Sequence, residues 1–212
     1  GFGGLEAVVL IPLMIAGVKH KGKTLTVTAP FDNAVIATVE TADDTAIDKA
    51  LTTAHQLFRN RKTWLKPAKR IAILEKTAQL MAENIDELTL EATREGGKPL
   101  LDSKVEAIRA IDSIKACVEC IRKESGKEIP MDLNPASANR LAMTHAEPLG
   151  VVVGVSAFNH PLNLIAHQVG PAIAAGCPVI IKPAEDTPIS CFNLVNILYE
   201  AGLPEEWCQA LI

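Results

Sequence analysis

Two short apolar runs near the end of the chain constrain its fold more than any other feature. Val151-Val152-Val153-Gly154-Val155 is continuous and apolar, as expected of a strand buried on both faces of a sheet. Val179-Ile180-Ile181 repeats the pattern one helix length later. Between them, Pro161 is placed to open a helix that closes at Gly176. After them, Thr187-Pro188 has the form of an N-cap with proline at the first helical position, and the helix it opens ends near Gly202. Strand, helix and strand within about thirty residues make a βαβ unit, which requires parallel strands. The strands are expected near 151–155 and 178–182, and 209–212 begins another. A chain that stops on an incipient strand is expected to be part of a longer protein.

Upstream, β-prone residues flank the turn Phe31-Asp32-Asn33 and predict a hairpin over 24–40. Thr41-x-x-Asp44 has the form of a capping box ahead of a helical stripe at Ile47, Leu51, Ala54 and Phe58. Pro67 suits the first turn of a second helix, with Ile71, Leu74, Ala78, Met81, Ile85 and Leu88 inward and a stop at Gly96-Gly97. A third helix carries Leu101, Val105, Ile108, Ile111, Val118 and Ile121 and stops at Gly126. From 127 to 149 the pattern changes to two short extended runs around Asn134-Pro135-Ala136-Ser137, with little core of their own. They predict a projecting hairpin whose free edges pair with other strands, those of another subunit included. The chain therefore divides into a helical part at 14–126, a hairpin at 127–149 and a βαβα part at 150–212.

Composition bounds the partners. The chain is 48% hydrophobic with a formal net charge of -4, in the range of globular domains. It has no basic stripe and few aromatic residues, which argues against nucleic acid. The apolar run at 7–17 is about half the length that spans a bilayer, so no membrane segment is expected. Five cysteines, an odd number set in apolar segments, fit reduced thiols in a cytoplasmic protein. Cys117-x-x-Cys120 lies on a helix with no second pair, which reads as core rather than zinc, and no metal is expected. His20, His55 and His145 have no partners that suggest a metal or a triad.

In open parallel sheets, ligands bind beyond the carboxyl ends of the strands. Here those positions hold Ser156-Ala157-Phe158-Asn159-His160-Pro161 and Lys182-Pro183-Ala184-Glu185. Neither follows a G-x-G-x-x-G turn, so the usual dinucleotide fingerprint is missing. Fold logic alone gives a ligand-binding α/β domain. From spacing alone, Asn159 fits a helix cap and a ligand-facing amide equally well.

The segments P-L-G-V-V-V-G-V-S-A-F-N-H-P (148–161), A-I-A-A-G-C (172–177), K-P-A-E-D-T-P (182–188) and E-A-G-L-P (200–204) come in the order and spacing of the aldehyde dehydrogenase superfamily. Upstream, A-P-F-D-N-A-V-I-A-T-V (29–39) and E-G-G-K-P (95–99) also resemble it, so the likeness covers roughly 14–212. The F-N-H-P-L-N form looks most like the branch that includes phosphonoacetaldehyde and lactaldehyde dehydrogenases. The resemblance implies the N-terminal part of an α/β, Rossmann-like cofactor-binding domain with a projecting oligomerisation hairpin, and a homo-oligomer joined through 127–149. It implies that Asn159 is the oxyanion-hole asparagine, that Lys182 and Glu185 hold the adenosine ribose, and that Ser156, Ala157 and Phe158 run beside the cofactor. A carboxylate at 185 repels a 2′-phosphate, so NAD is expected over NADP.

Lys98 is expected to be structural, and His160 to be packed and hydrogen-bonded, the alternative being that it faces the substrate and favours an anionic or polar aldehyde. His167-Gln168 stands where many members have Trp-Lys, and a glutamine cannot carry a proton relay. The resemblance puts the catalytic cysteine, the general base and the glycine turn beyond residue 212, so the catalytic domain is absent and the 212-residue chain alone is expected to be inactive. The expected reaction of the whole protein is NAD-dependent oxidation of a small aldehyde to a carboxylic acid. A CoA-acylating relative and a non-catalytic dinucleotide-fold module remain the alternatives.

Overall fold

The computed structural model describes residues 9–18 and 22–212. Residues 1–8 and 19–21, with His20 and the start of the apolar run at 7–17, lie outside the described residues. The chain is an α/β protein. Strands β6 (Val152–Val155), β7 (Val179–Lys182) and β8 (Cys208–Ala210) form a parallel sheet in the order β6-β7-β8, as the apolar runs predict. Val152 faces Val179 and Val155 faces Lys182 in the register, so both strands end level. Helices α5 (Asn163–Ala174) and α6 (Ile189–Glu200) connect them.

Side chains alternate across a strand, and β7 shows what covers each face. Val179 and Ile181 join the main core with α5 and α6, whereas Ile180 packs in a second cluster with Ala46, Ala50 and Ala54 of α1 (Asp44–Arg59). The helix α1 lies close because its buried residues are alanines. Ile47 and Leu51, expected to face inward, are exposed instead. Its N-cap is Asp43, whose side chain accepts the Ala46 N–H at 2.8 Å. Thr41, expected to cap, donates its hydroxyl to the Lys23 carbonyl.

The strand β6 departs from the both-faces expectation. Val153 and Val155 are 56% and 67% exposed, because they share the face of Ile180 but lie at the sheet edge, beyond the cover of α1. At the other edge, Met14 pairs antiparallel with Ala210. Gln209 is fully buried there, its amide donating to the Ala50 carbonyl and its oxygen accepting the Ala16 N–H.

The predicted hairpin at 24–40 is β2 (Thr24–Thr28) against β3 (Val35–Glu40), and β1 (Val9–Ile11) adds to β3 in parallel. The long second helix is in fact two, α2 (Pro67–Glu83) and α3 (Ile85–Gly96). The break falls at Asn84, whose backbone leaves the helical region and whose side-chain amide donates to the Leu80 carbonyl at 2.8 Å. At the end of α3, Gly97 adopts the left-handed conformation that glycine tolerates best (φ 70). The next helix, α4 (Leu100–Lys123), buries Glu106, Ala107, Ala110, Ile111, Ile114, Cys117 and Val118, while Leu101, Val105 and Ile108 stay exposed. Cys120 is exposed too, against the expectation of a core residue.

Residues 127–149 are joined by a pair of two-residue strands, β4 (Glu128–Ile129) and β5 (Ala142–Met143). A 3-10 turn at Pro135–Ser137, closed by an Asn134–Ser137 capping box, reverses the chain. Leu133, Leu141 and Met143 are exposed, and an Arg61–Glu147 ion pair ties the returning limb to the body.

Candidate active site

Parallel pairing places the two predicted loops side by side. The Ser156 N–H, just past β6, donates to the Lys182 carbonyl at the end of β7 at 2.9 Å. Ser156 is buried and its hydroxyl has no hydrogen-bond partner among the described residues, whereas Ala157, Phe158, Asn159 and His160 are exposed. In the second loop, Lys182 is half-buried with its ammonium 3.2 Å from the Pro183 carbonyl, and Glu185 is exposed. All six sequence-predicted residues therefore lie at one edge of the sheet.

Neither candidate helix cap, Asn159 or Thr187, is used. The helix after the first loop starts at Asn163, not Pro161, and the residue before it makes no side-chain cap. Instead, Glu106 reaches across from α4, and its Oε1 accepts the N–H groups of Leu162 at 2.8 Å and Asn163 at 3.0 Å. The hydroxyl of Thr187 does not cap α6 either. There Glu95 of α3 accepts the N–H groups of Ile189 at 2.7 Å and Ser190 at 2.9 Å. A helix start has orphan N–H groups and a positive dipole end that must be answered. Two buried glutamates from the helical layer answer them here.

Helix N-termini with free N–H groups are the usual seat of a pyrophosphate. With carboxylates on both, neither α5 nor α6 offers that seat, which agrees with the missing glycine fingerprint. Burial pushes the Glu95 carboxyl up to about 7, against the downward pull of its bonds to Ser190 and Ile189.

Lys98 was expected to serve only a helix junction. Its ammonium pairs with Glu106 Oε2 and lies 3.4 Å from the Asn159 carbonyl and 3.3 Å from His160 Nδ1. His160 was expected to be packed, yet its side chain is half exposed and borders a cavity of about 330 Å³ with Lys98, Asp102, Arg109 and Asn163. Spacing could not find these contacts, because Lys98 and Glu106 precede the loop by more than fifty positions. Gln168 donates to the Val155 carbonyl at 3.2 Å, an anchoring role under the first loop.

None of the cysteines is set up as a nucleophile. Cys117, Cys177, Cys191 and Cys208 are buried. Burial raises the Cys117 thiol to about 11 and the Cys208 thiol to about 12, and it raises Cys191 as well. The remaining cysteine, Cys120, is on the far part of α4 in an apolar groove with His167 and Pro171. Among the described residues, no three His, Cys, Asp or Glu side chains converge as a metal-binding group, and no helix is long and apolar enough to cross a membrane.

Residues 18–212 match the model of the aldehyde dehydrogenase family. The chain belongs to that family. It is 36% identical over 173 residues to 3-sulfolactaldehyde dehydrogenase of Priestia aryabhattai, covering 82% of this chain and 35% of the relative. It is 32% identical to sulfoacetaldehyde dehydrogenase of Neptuniibacter caesariensis, covering 88% of this chain and 41% of that one. The structure superposes with a TM-score of 0.90 on aldehyde dehydrogenase 21 of Physcomitrella patens in complex with the reaction product succinate, at 33% identity, over 96% of this chain and 43% of that one. A glyceraldehyde-3-phosphate dehydrogenase of Methanocaldococcus jannaschii complexed with NADP matches with a TM-score of 0.82 at 28% identity, over 92% of this chain and 41% of that one. The chain thus spans 35% to 41% of the length of these two curated relatives.

Proposed function

We propose that this chain supplies the oxyanion donor and the adenosine side of the cofactor site in an NAD-dependent aldehyde dehydrogenase. One observation carries the reading. The start of α5 is capped by Glu106, so Asn159 is relieved of the cap role and stands exposed at the carboxyl edge of the sheet. An amide N–H held there can donate to the negative oxygen that develops when a nucleophile adds to an aldehyde carbonyl. Four of the five cysteines are buried, and burial raises the thiols of Cys117, Cys191 and Cys208, which does not suit that nucleophile; the reading assigns it to the rest of the protein.

The residues fit a dinucleotide. Glu185 is exposed and offers a carboxylate to two ribose hydroxyls, Lys182 is a half-buried cation in the same loop, and the unpartnered Ser156 hydroxyl lies buried at the end of the neighbouring strand. When bound, the nicotinamide cofactor supplies the hydride acceptor. The Glu185 carboxylate disfavours a second charge on the ribose, which supports NAD over NADP. Lys98, Arg109 and His160 line the small cavity together with the carboxylates of Asp102 and Glu106, and two relatives are named for sulfonated aldehydes. The names of those relatives support an aldehyde with an anionic group as substrate. The exposed apolar residues of the 127–149 hairpin and its short strands support self-association of the whole protein into a homo-oligomer through that segment.

The test is steady-state kinetics of the whole protein with an anionic aldehyde, with and without CoA. Asn159→Ala is expected to lower kcat roughly a hundredfold to a thousandfold with little change in the KM for NAD. Full kcat in Asn159→Ala removes the oxyanion role. An absolute requirement for CoA replaces the hydrolytic reading with the acylating one.

A further inference from the structure

We propose that Glu106 and Lys98 are a positioning pair that fixes the reach of the Asn159 amide from α4. This rests on the oxyanion reading of Asn159. The pair grips the loop on both sides. Lys98 approaches the Asn159 carbonyl at 3.4 Å, and Glu106 takes the N–H groups of Leu162 and Asn163 at 2.8 and 3.0 Å. The two are joined to each other through Glu106 Oε2. Glu106 is 2% exposed, so its bonds to the Leu162 and Asn163 N–H groups are largely sheltered from water, while the Lys98 contact with the Asn159 carbonyl lies at the surface.

Packing alone gives no reason for the charge. The neighbours of Glu106 on the buried face of α4 are Ser103, Ala107 and Ala110, and an apolar side chain of similar volume would fill the place without the desolvation that a buried ion pair incurs. What an apolar side chain cannot do is accept two orphan N–H groups and hold the lysine on the carbonyl of the residue that bears the donor. Oxyanion stabilisation depends on a donor placed about 3 Å from the charge, and a misplacement of about 1 Å costs on the order of a hundredfold in rate. The backbone clamp sets that placement, because the Asn159 side chain has only two torsions between its amide and the backbone.

A double-mutant cycle in the whole protein distinguishes positioning from a general structural role. The variants are Glu106→Leu, Glu106→Gln, Asn159→Ala and each Glu106 variant combined with Asn159→Ala, with kcat, the KM for NAD and the thermal midpoint read for all. Glu106→Leu is expected to lower kcat roughly tenfold to a hundredfold with the KM for NAD unchanged. Glu106→Gln is expected to lose less, since its amide oxygen still accepts. In the Asn159→Ala background, neither Glu106 variant is expected to slow the enzyme further, because the group it positions is gone. Losses that multiply in the double variants overturn the proposal, as does unchanged kcat in Glu106→Leu while Asn159→Ala is slow. If Glu106→Leu does not fold, the Glu106→Gln cycle is read by the same criterion. Full kcat in Asn159→Ala overturns the oxyanion reading and the positioning role with it.

Discussion

Glu95 makes the stability of this fold depend on pH, and the direction follows from what surrounds it. Its carboxyl is buried at the end of α3, accepts two N–H groups from the start of α6, and has Glu91 nearby. Desolvation wins over the hydrogen bonds and lifts it from 4.5 to about 7. A carboxyl with a raised folded pKa holds its proton in the native state after the unfolded chain has released it. The stability it contributes is full below about 4.5 and is lost as pH rises through about 7, a loss of about 3 kcal/mol. Glu95→Gln cannot titrate and keeps one carbonyl oxygen for two N–H groups, which costs about 1–3 kcal/mol at any pH. The variant is therefore expected to be less stable than the parent near pH 5, with the gap closing or reversing toward pH 8. Urea unfolding followed through Trp64 and Trp207 measures it. A gap that stays constant or widens with pH refutes the reasoning. It means that the N–H bonds and the dipole of α6 outweigh desolvation and keep Glu95 ionised in the fold.

Two further outcomes are expected. Glu185→Gln removes the repelling carboxylate, so the KM for NAD rises and the preference for NAD over NADP narrows while kcat holds, read from kinetics with both cofactors. In Gly126→Ala the new Cβ meets the Thr144 carbonyl oxygen at 1.7 Å, a backbone clash that forces the limbs of the hairpin apart. Light scattering of the whole protein is expected to show weakened self-association with a thermal midpoint within a few degrees of the parent, since the hairpin buries little; an unchanged oligomer counts against the hairpin's role.

The local chemistry of this chain was legible before its shape. Apolar runs with proline and glycine punctuation determined the parallel βαβ unit, and the residues after each run pointed to the ligand edge, because strand period and helix stops are properties of neighbouring residues. The partners of those residues were not legible. Ile47, Leu51, Leu101 and Val105 make convincing stripes, yet α1 buries only alanines and α4 turns a different face inward, with Ala107, Ala110, Ile111, Ile114 and Val118, because the neighbouring layer decides which face is covered. Asn84 divides a helix whose apolar period runs straight through it, because its backbone leaves the helical region, a local conformation that apolar spacing does not report. Val153 and Val155 read as doubly buried but lie at an edge, and edges are assigned by strand order alone. The largest omission was the pair of carboxylates on α5 and α6. Glu95 and Glu106 look like ordinary helix charges in a linear sequence, and only the tertiary fold, by stacking α3 and α4 against the starts of two distant helices, turns them into the caps that shape the site.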